Sequence, residues 1–147
     1  VSLDILYGLD CGPWVLQRVP VMRSAGPNVG IAIGNGKSII AACLYYDYDG
    51  NNMQMAIAAD SPRWASRRTI KALLSYPFRD VGAGRVTCII ERTNLPSIRL
   101  CEGIGFKREG LLRRVYRNGS DGWVYGLLVE EAERWIGKIE VKYAAAA

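Results

Sequence analysis

The 147-residue chain contains no histidine. That rules out nucleophilic catalysis by a Ser–His or Cys–His pair, together with most zinc chemistry, so no metal is expected. A general base has to be a carboxylate, a tyrosine, a cysteine, a chain of waters or the substrate itself. The cationic groups are gathered rather than dispersed. Arg63, Arg67, Arg68 and Lys71 form one group and Arg113, Arg114 and Arg117 another, within a net charge of +5. Such clusters suit a polyphosphate ligand, a nucleic acid or an anionic membrane surface, and equally a solvated helix face and strand edge. No nucleic-acid-binding motif accompanies them, so nucleic acid is not the expected partner. Cys11, Cys43, Cys88 and Cys101 show no C-x-x-C spacing. Cys43 and Cys88 sit in apolar runs, and the thiols are expected to be reduced and buried, as in a cytoplasmic protein.

The elements that hold these groups can be read along the chain. Half of the residues are hydrophobic, an ordinary globular balance, and the length suits one domain over residues 1–143. The last residues, Ala144 to Ala147, are set aside as a tail. No apolar run reaches the roughly 20 residues of a membrane-spanning helix. Val1-Ser2-Leu3-Asp4 does not resemble the start of a secretory signal. Trp14 to Val19 suggests a short helix ended by Pro20, and Gly26-Pro27-Asn28 a loop. Val29 to Ile33, Ser38 to Tyr48 and Met53 to Ala59 read as an antiparallel meander, turned at Gly34-Asn35-Gly36 and Asp49-Gly50-Asn51-Asn52. Ile70, Leu73, Leu74, Phe78 and Val81 recur at helical spacing. Asp60 or Ser61 is the expected cap, Pro62 suits the first turn, and Pro77 should kink or end the helix. Arg85 to Arg92 reads as a buried strand, and Asn94 as the cap of a helix reaching about Ile104. Lys107 to Arg117 and Trp123 to Val129 should form a hairpin. Val129, Ala132, Trp135, Ile136 and Ile139 suggest a closing helix.

The long helix must cross over to lay Arg85–Arg92 parallel to the third strand, which makes a mostly antiparallel sheet mixed. It also aims the helix N-terminus at the split in the sheet, where an anion is favoured.

This order resembles the GNAT acyltransferase superfamily. Asn94-Leu95-Pro96-Ser97, followed by Gly105-Phe106-Lys107-Arg108-Glu109-Gly110, is similar to its N-x-x-S/A…G-F-x-x-E-G signature. Leu111-Leu112-Arg113, Asp121 and Val124-Tyr125-Gly126 resemble the branch that acetylates ribosomal-protein N-termini. Tyr76-Pro77-Phe78 resembles small bacterial and phage acetyltransferase-like proteins. The resemblance covers roughly residues 29–135. It implies an α/β (α+β) GNAT fold, acetyl-CoA as co-substrate, and direct acetyl transfer to an amine of a small molecule or protein. A homodimer is a further expectation. The alternative is a catalytically silent GNAT-fold binding or assembly module, phage-associated.

The family's pyrophosphate loop, R/Q-x-x-G-x-G/A, falls by resemblance on Arg63-Trp64-Ala65-Ser66-Arg67-Arg68. Trp64 and Ser66 stand where small glycines are expected, and glycine would let the backbone come close to phosphate. Ser66 can still donate hydrogen bonds, Arg67 and Arg68 supply charge, and Trp64 either stacks on the adenine or fills a gap. Asn94 caps its helix, and the family's matching side chain often reaches the pantetheine arm as well. Ser97, one turn on, faces the same channel or solvent. The family's acid, a tyrosine, is replaced here by Cys101, which either donates a proton or simply packs. Tyr116 and Tyr125 on the last hairpin are further acids if they point into the cleft, and otherwise half-buried strand aromatics. Glu91 either orders a water as base or pairs at the surface with Arg92 or another neighbour. Amides near Ala58 and Ala59 would polarise the thioester carbonyl if a bulge opened that strand.

Overall fold

Alternation of apolar and polar residues builds one sheet with two differently covered faces. The computed structural model describes residues 2–19 and 26–143. Its strands are β1 (Asp4–Tyr7), β2 (Asn28–Gly34), β3 (Ile39–Tyr46), β4 (Asn52–Ala59), β5 (Arg85–Glu91), β6 (Lys107–Leu112) and β7 (Gly122–Leu128). Its helices are α1 (Gly12–Arg18), α2 (Arg67–Ser75), α3 (Leu95–Ile104) and α4 (Glu133–Ile136). The strands run in the order β1-β2-β3-β4-β5-β7-β6, antiparallel except for the β4–β5 pair. The mixed α/β architecture expected from the sequence is therefore the one found. Pro20 and the alanine tail lie outside the described residues.

One face is covered by α2 and α3. Ile31 and Ile33 of β2, Cys43 and Tyr45 of β3, Met53 and Met55 of β4 and Val86, Cys88 and Ile90 of β5 point into this core. They meet Leu73 and Leu74 of α2 and Ile98, Cys101 and Ile104 of α3. Removing that much apolar side chain from water, at about 25 cal/mol per Å², is the main force holding the layers together. Tyr45 adds a directed tie, its hydroxyl donating to the Leu73 carbonyl at 2.6 Å. The opposite face is covered only in part. Cys11, the cap residue of α1, and Val15 within it pack on Ala32, Ala42, Leu44 and Ala58. Arg18 then locks α1 to the end of β4 through a two-pronged pair with Asp60 (2.7 and 3.0 Å).

Several local expectations are corrected. The N-terminal stretch, for which no strand is expected from the sequence, contains β1, an edge strand pairing β2, and α1 starts two residues before Trp14. Ser61 caps only a 3-10 turn, Pro62–Trp64, and Ser66 caps α2 itself. α2 ends at Ser75 and passes into a π-helical turn, Tyr76–Val81. Pro77 lies in that turn, where its missing N–H breaks the α-helical ladder. β6 stops at Leu112, so Tyr116 sits on a connecting loop. The closing segment is a 3-10 turn, Val129–Ala132, then the single turn of α4, which ends before Ile139. No bulge interrupts β4, whose register with β3 runs unbroken to Ala59.

Candidate functional site

The β4–β5 pairing is short. It comprises Asn52↔Arg85, Met53↔Val86 and Gln54↔Thr87, and nothing beyond. Past that row β4 continues only with β3, up to Ala59, and β5 only with β7, up to Glu91. The two central strands diverge, and the edge of β4 from Met55 to Ala59 is left without a strand partner on the β5 side. Backbone groups left out of a ladder must be satisfied by something else. The split thus takes the place of the bulge expected near Ala58 and Ala59. Ala58 is buried and Ala59 exposed.

On the helical face, Trp64 and Ile70, on either side of the α2 start, line one cavity with Met55 and Ile57 of the β4 stretch that β5 leaves unpaired. Ser66 and Thr69 make a reciprocal capping box: Thr69 N donates to Ser66 Oγ at 3.2 Å, and Ser66 N to Thr69 Oγ1 at 2.9 Å. Ile70 N takes the Ser66 carbonyl at 3.0 Å. Among the described residues the amides of Arg67 and Arg68 have no acceptor, and they are the groups that give a helix start its anion affinity. The side chains of both arginines are engaged elsewhere. Arg67 donates to the Arg134 carbonyl at 2.8 Å and lies over the Trp135 ring. Arg68 donates to the Leu3 carbonyl at 2.7 Å. Arg63 is exposed, and among the described residues its guanidinium has no partner.

The structure explains how this turn is made without glycine. Ala65 and Ser66 have ordinary extended angles (φ −80° and −128°), and no residue from Ser61 to Arg68 has a positive φ. Thr69 Oγ1 donates to the Trp64 carbonyl at 2.5 Å, which fixes the turn. The Trp64 indole, 2% exposed, is turned inward against α2 and β4. There it borders an apolar cavity of about 10 Å³ with Met55, Ile57 and Phe106. Of the two roles open to Trp64, the structure shows gap-filling, and the indole is away from the rim.

α3 starts on the other side of the split. Asn94 Oδ1 accepts from Ser97 N at 3.3 Å, as a cap should. Asn94 is exposed and Ser97 half-buried. Cys101, one further turn along, is 5% exposed and packs in the core. Its thiol, together with burial, holds the Cys88 thiol well above the usual thiol range.

The other face of the split carries a second group of residues. Gly122 leaves room for the 113–121 loop to fold back onto the sheet. A Cβ there would stand 2.8 Å from Ile89 Cγ2 and 2.9 Å from Val115 Cγ1. Tyr116 consequently reaches over β5 and donates its hydroxyl to the Ile89 carbonyl at 3.0 Å. Burial pushes its phenol up to about 12, helped by the charges of Tyr46, Glu91 and Cys88. Tyr46, at the end of β3, is likewise pushed up to about 12 by burial, with Cys88, Asp47 and Cys43 adding to it. Glu91 is at the mouth, but its Oε2 is taken by Thr93 N (3.1 Å) and Thr93 Oγ1 (2.6 Å). Arg92 pairs with Asp121 at 3.4 Å, and the neighbour that Glu91 bonds is Thr93. Tyr125 is remote from this group. Fully buried, it donates to Glu102 at 3.1 Å and accepts from Arg108 at 2.9 Å, tying β7 to α3 and β6.

The structure therefore brings Tyr116 and Glu91 to the split and leaves Tyr125 and Cys101 in structural contacts. It adds Tyr46 and Gln54, which form a cross-strand pair. Sequence reasoning missed them because neither belongs to a motif. The turn at Asp49-Gly50, which sets the β3–β4 register, was the only signal that could have placed them opposite one another.

No family model matches the chain. Over 100 residues it is 25% identical to YnaD of Bacillus subtilis, described as an uncharacterized N-acetyltransferase; the match covers 63% of this chain and 59% of that one. The chain spans between 49% and 63% of the length of the curated relatives it matches. Mutant forms of the spermidine/spermine N-acetyltransferase SpeG from Vibrio cholerae superpose with a TM-score of 0.73 at 12% identity, over 90% of this chain and 98% of that one. Mycobacterium smegmatis RimJ in complex with CoA-disulfide superposes with a TM-score of 0.61 at 19% identity, over 72% of this chain and 55% of that one. At such identities the superpositions speak for the fold. Seven strands parted between β4 and β5 make this the fold seen in GNAT-family acetyltransferases, and the sequence relatives of the chain are described as N-acetyltransferases.

Proposed function

We propose that the chain is an acetyl-CoA-dependent N-acetyltransferase that passes an acetyl group directly to an amine. The observation that carries this reading is the parting of β4 from β5 after Gln54↔Thr87, together with two helix-start amides that have no acceptor among the described residues. Acetyl-CoA supplies an activated thioester, and the chain's own groups fit it. The Arg67 and Arg68 amides and the exposed Arg63 guanidinium would hold its phosphates. The unpaired edge of β4 would take the amides of its pantetheine arm, and the Ala58 and Ala59 amides lie further along the same strand. Asn94 and Ser97, at the start of α3, would border the channel from the other side.

With the cofactor on the α2/α3 face, the amine comes from the face of Tyr46 and Tyr116. Its nitrogen must lose a proton and the departing sulfur must gain one. Tyr116, protonated throughout the neutral range, is the group placed to give it. Cys101, buried beside Cys88, and Glu91, bonded to Thr93, are secondary candidates. Much of the rate then comes from alignment, because holding amine and thioester together removes the entropic cost of their meeting. The site needs nothing from a membrane or a nucleic acid.

Binding is tested by thermal shift. Acetyl-CoA at about 100 times its Kd should raise Tm by about 5–10 °C. Arg63→Ala, which removes one charge-assisted phosphate contact, should weaken binding about 10-fold or more. No shift at millimolar cofactor would favour the catalytically silent module.

A further inference from the structure

Gln54 presents a cost that the fold does not explain. Among the described residues its Oε1 is the only buried side-chain oxygen or nitrogen without a hydrogen-bond partner. A buried acceptor left unpaired is destabilising, and each such group calls for a reason. The neighbours below it are satisfied among themselves. Thr87 Oγ1 donates to Asn52 Oδ1 at 2.5 Å, and Arg85 bonds Asn52, Thr87 and Glu109, yet none of them turns to Gln54.

Its place in the sheet is equally specific. Gln54 is the last residue of β4 paired with β5, so it stands at the apex of the split. Its side chain lies on the face away from α2 and α3, in the cross-strand row of Tyr46 and Thr87. The phenols bordering that face are neutral at pH 7. An amine arriving there has N–H groups to donate and meets an oxygen that lacks a donor.

Building on the acetyl-transfer reading, we infer that Gln54 is an acceptor-binding residue: its side-chain carbonyl takes an N–H of the incoming primary amine at the apex of the β4–β5 split. The contact holds the nitrogen on the acceptor face, with its lone pair free to turn toward the thioester. It also sets a substrate class. The acceptor must bring at least one N–H beyond the proton it loses, so primary amines are taken and secondary amines, which have a single N–H, are not.

The test uses ethylammonium chloride as probe and tetramethylammonium chloride as its control of equal charge without N–H. The Gln54 side-chain amide signals of the ¹⁵N-labelled protein should move with the first and stay still with the second. Gln54→Met, similar in size and lacking the oxygen, should weaken ethylammonium binding about 10-fold or more, read on the Ile89 and Tyr46 amides. The same variant should raise Tm by a few degrees, about 2–6 °C, because the unpaired acceptor is gone. Equal shifts with both cations, unchanged affinity in Gln54→Met, or a variant no more stable than the parent would each overturn the inference. Acetyl-CoA titration of the same samples reads the acetyl-transfer proposal separately. A protein that binds ethylammonium at Gln54 yet ignores acetyl-CoA would sink that proposal and leave the amine site standing.

Discussion

Trp64→Ala should lower the stability of the protein by about 3–5 kcal/mol, measured by urea denaturation with an unchanged m-value. The indole is 2% exposed and fills the space where the turn before α2 meets β4 and the helix itself. Only a cavity of about 10 Å³ remains there now. Removing the ring would leave a void that the capping box and two packed elements prevent from collapsing. The change should also reach the cofactor. Thr69 anchors on the Trp64 carbonyl, so a loosened Trp64 lets the first turn of α2 wander. The thermal shift with acetyl-CoA should then shrink along with the baseline stability. A variant within 1 kcal/mol of the parent would mean that the indole is not the plug described here.

The second large effect is on rate rather than stability. Tyr116→Phe should reduce kcat by about 10²–10⁴-fold, the usual range for losing a positioned acid. KM for acetyl-CoA should stay within about twofold, since the phenol lies on the face opposite the proposed cofactor site. The fold should survive, because the ring still covers Gly122 and only one surface hydrogen bond to Ile89 is lost. The pH dependence has a definite sign. A phenol pushed up to about 12 stays protonated below that value, so its part in the rate should show no loss through pH 7–10 and fall only as pH approaches 12. Stability follows the same direction. A phenol whose folded pKa exceeds the unfolded value near 10 contributes stability that is complete below pH 10 and lost between 10 and about 12. An equally active Tyr116→Phe, measured by thiol release, would remove Tyr116 from the chemistry.

Most of the scaffold could be read from the chain because its signals are local. Gly34-Asn35-Gly36 and Asp49-Gly50 mark turns, the Ile70–Leu73–Leu74 stripe marks a helix, and Asn94 with Gly105 brackets α3. β1 escaped notice because a four-residue edge strand carries too few alternations to register. The closing helix was overread because its apolar spacing continues past Gly137, where the left-handed backbone (φ 80°) turns the chain out of the helix. The site was legible in its frame and less so in its chemistry. The arginines of the α2 start were found, but their side-chain partners, Arg134 and Leu3, lie at opposite ends of the chain. Trp64 could not be oriented from sequence, since a 3-10 turn set by Ser61 and Pro62 decides which way the indole faces. Tyr46 and Gln54 become neighbours only through strand register, which no short motif records.

The most direct test is a backbone amide shift map of the ¹⁵N-labelled protein with and without acetyl-CoA. Residues on the open edge of β4, Ala56 to Ala59, and at the α2 start, Arg67 and Arg68, should move most, while the β1–β2 edge stays unchanged. Perturbations confined to the 113–121 loop, or none at saturating cofactor, would contradict the claim that the parted strands and the helix start form a coenzyme cradle.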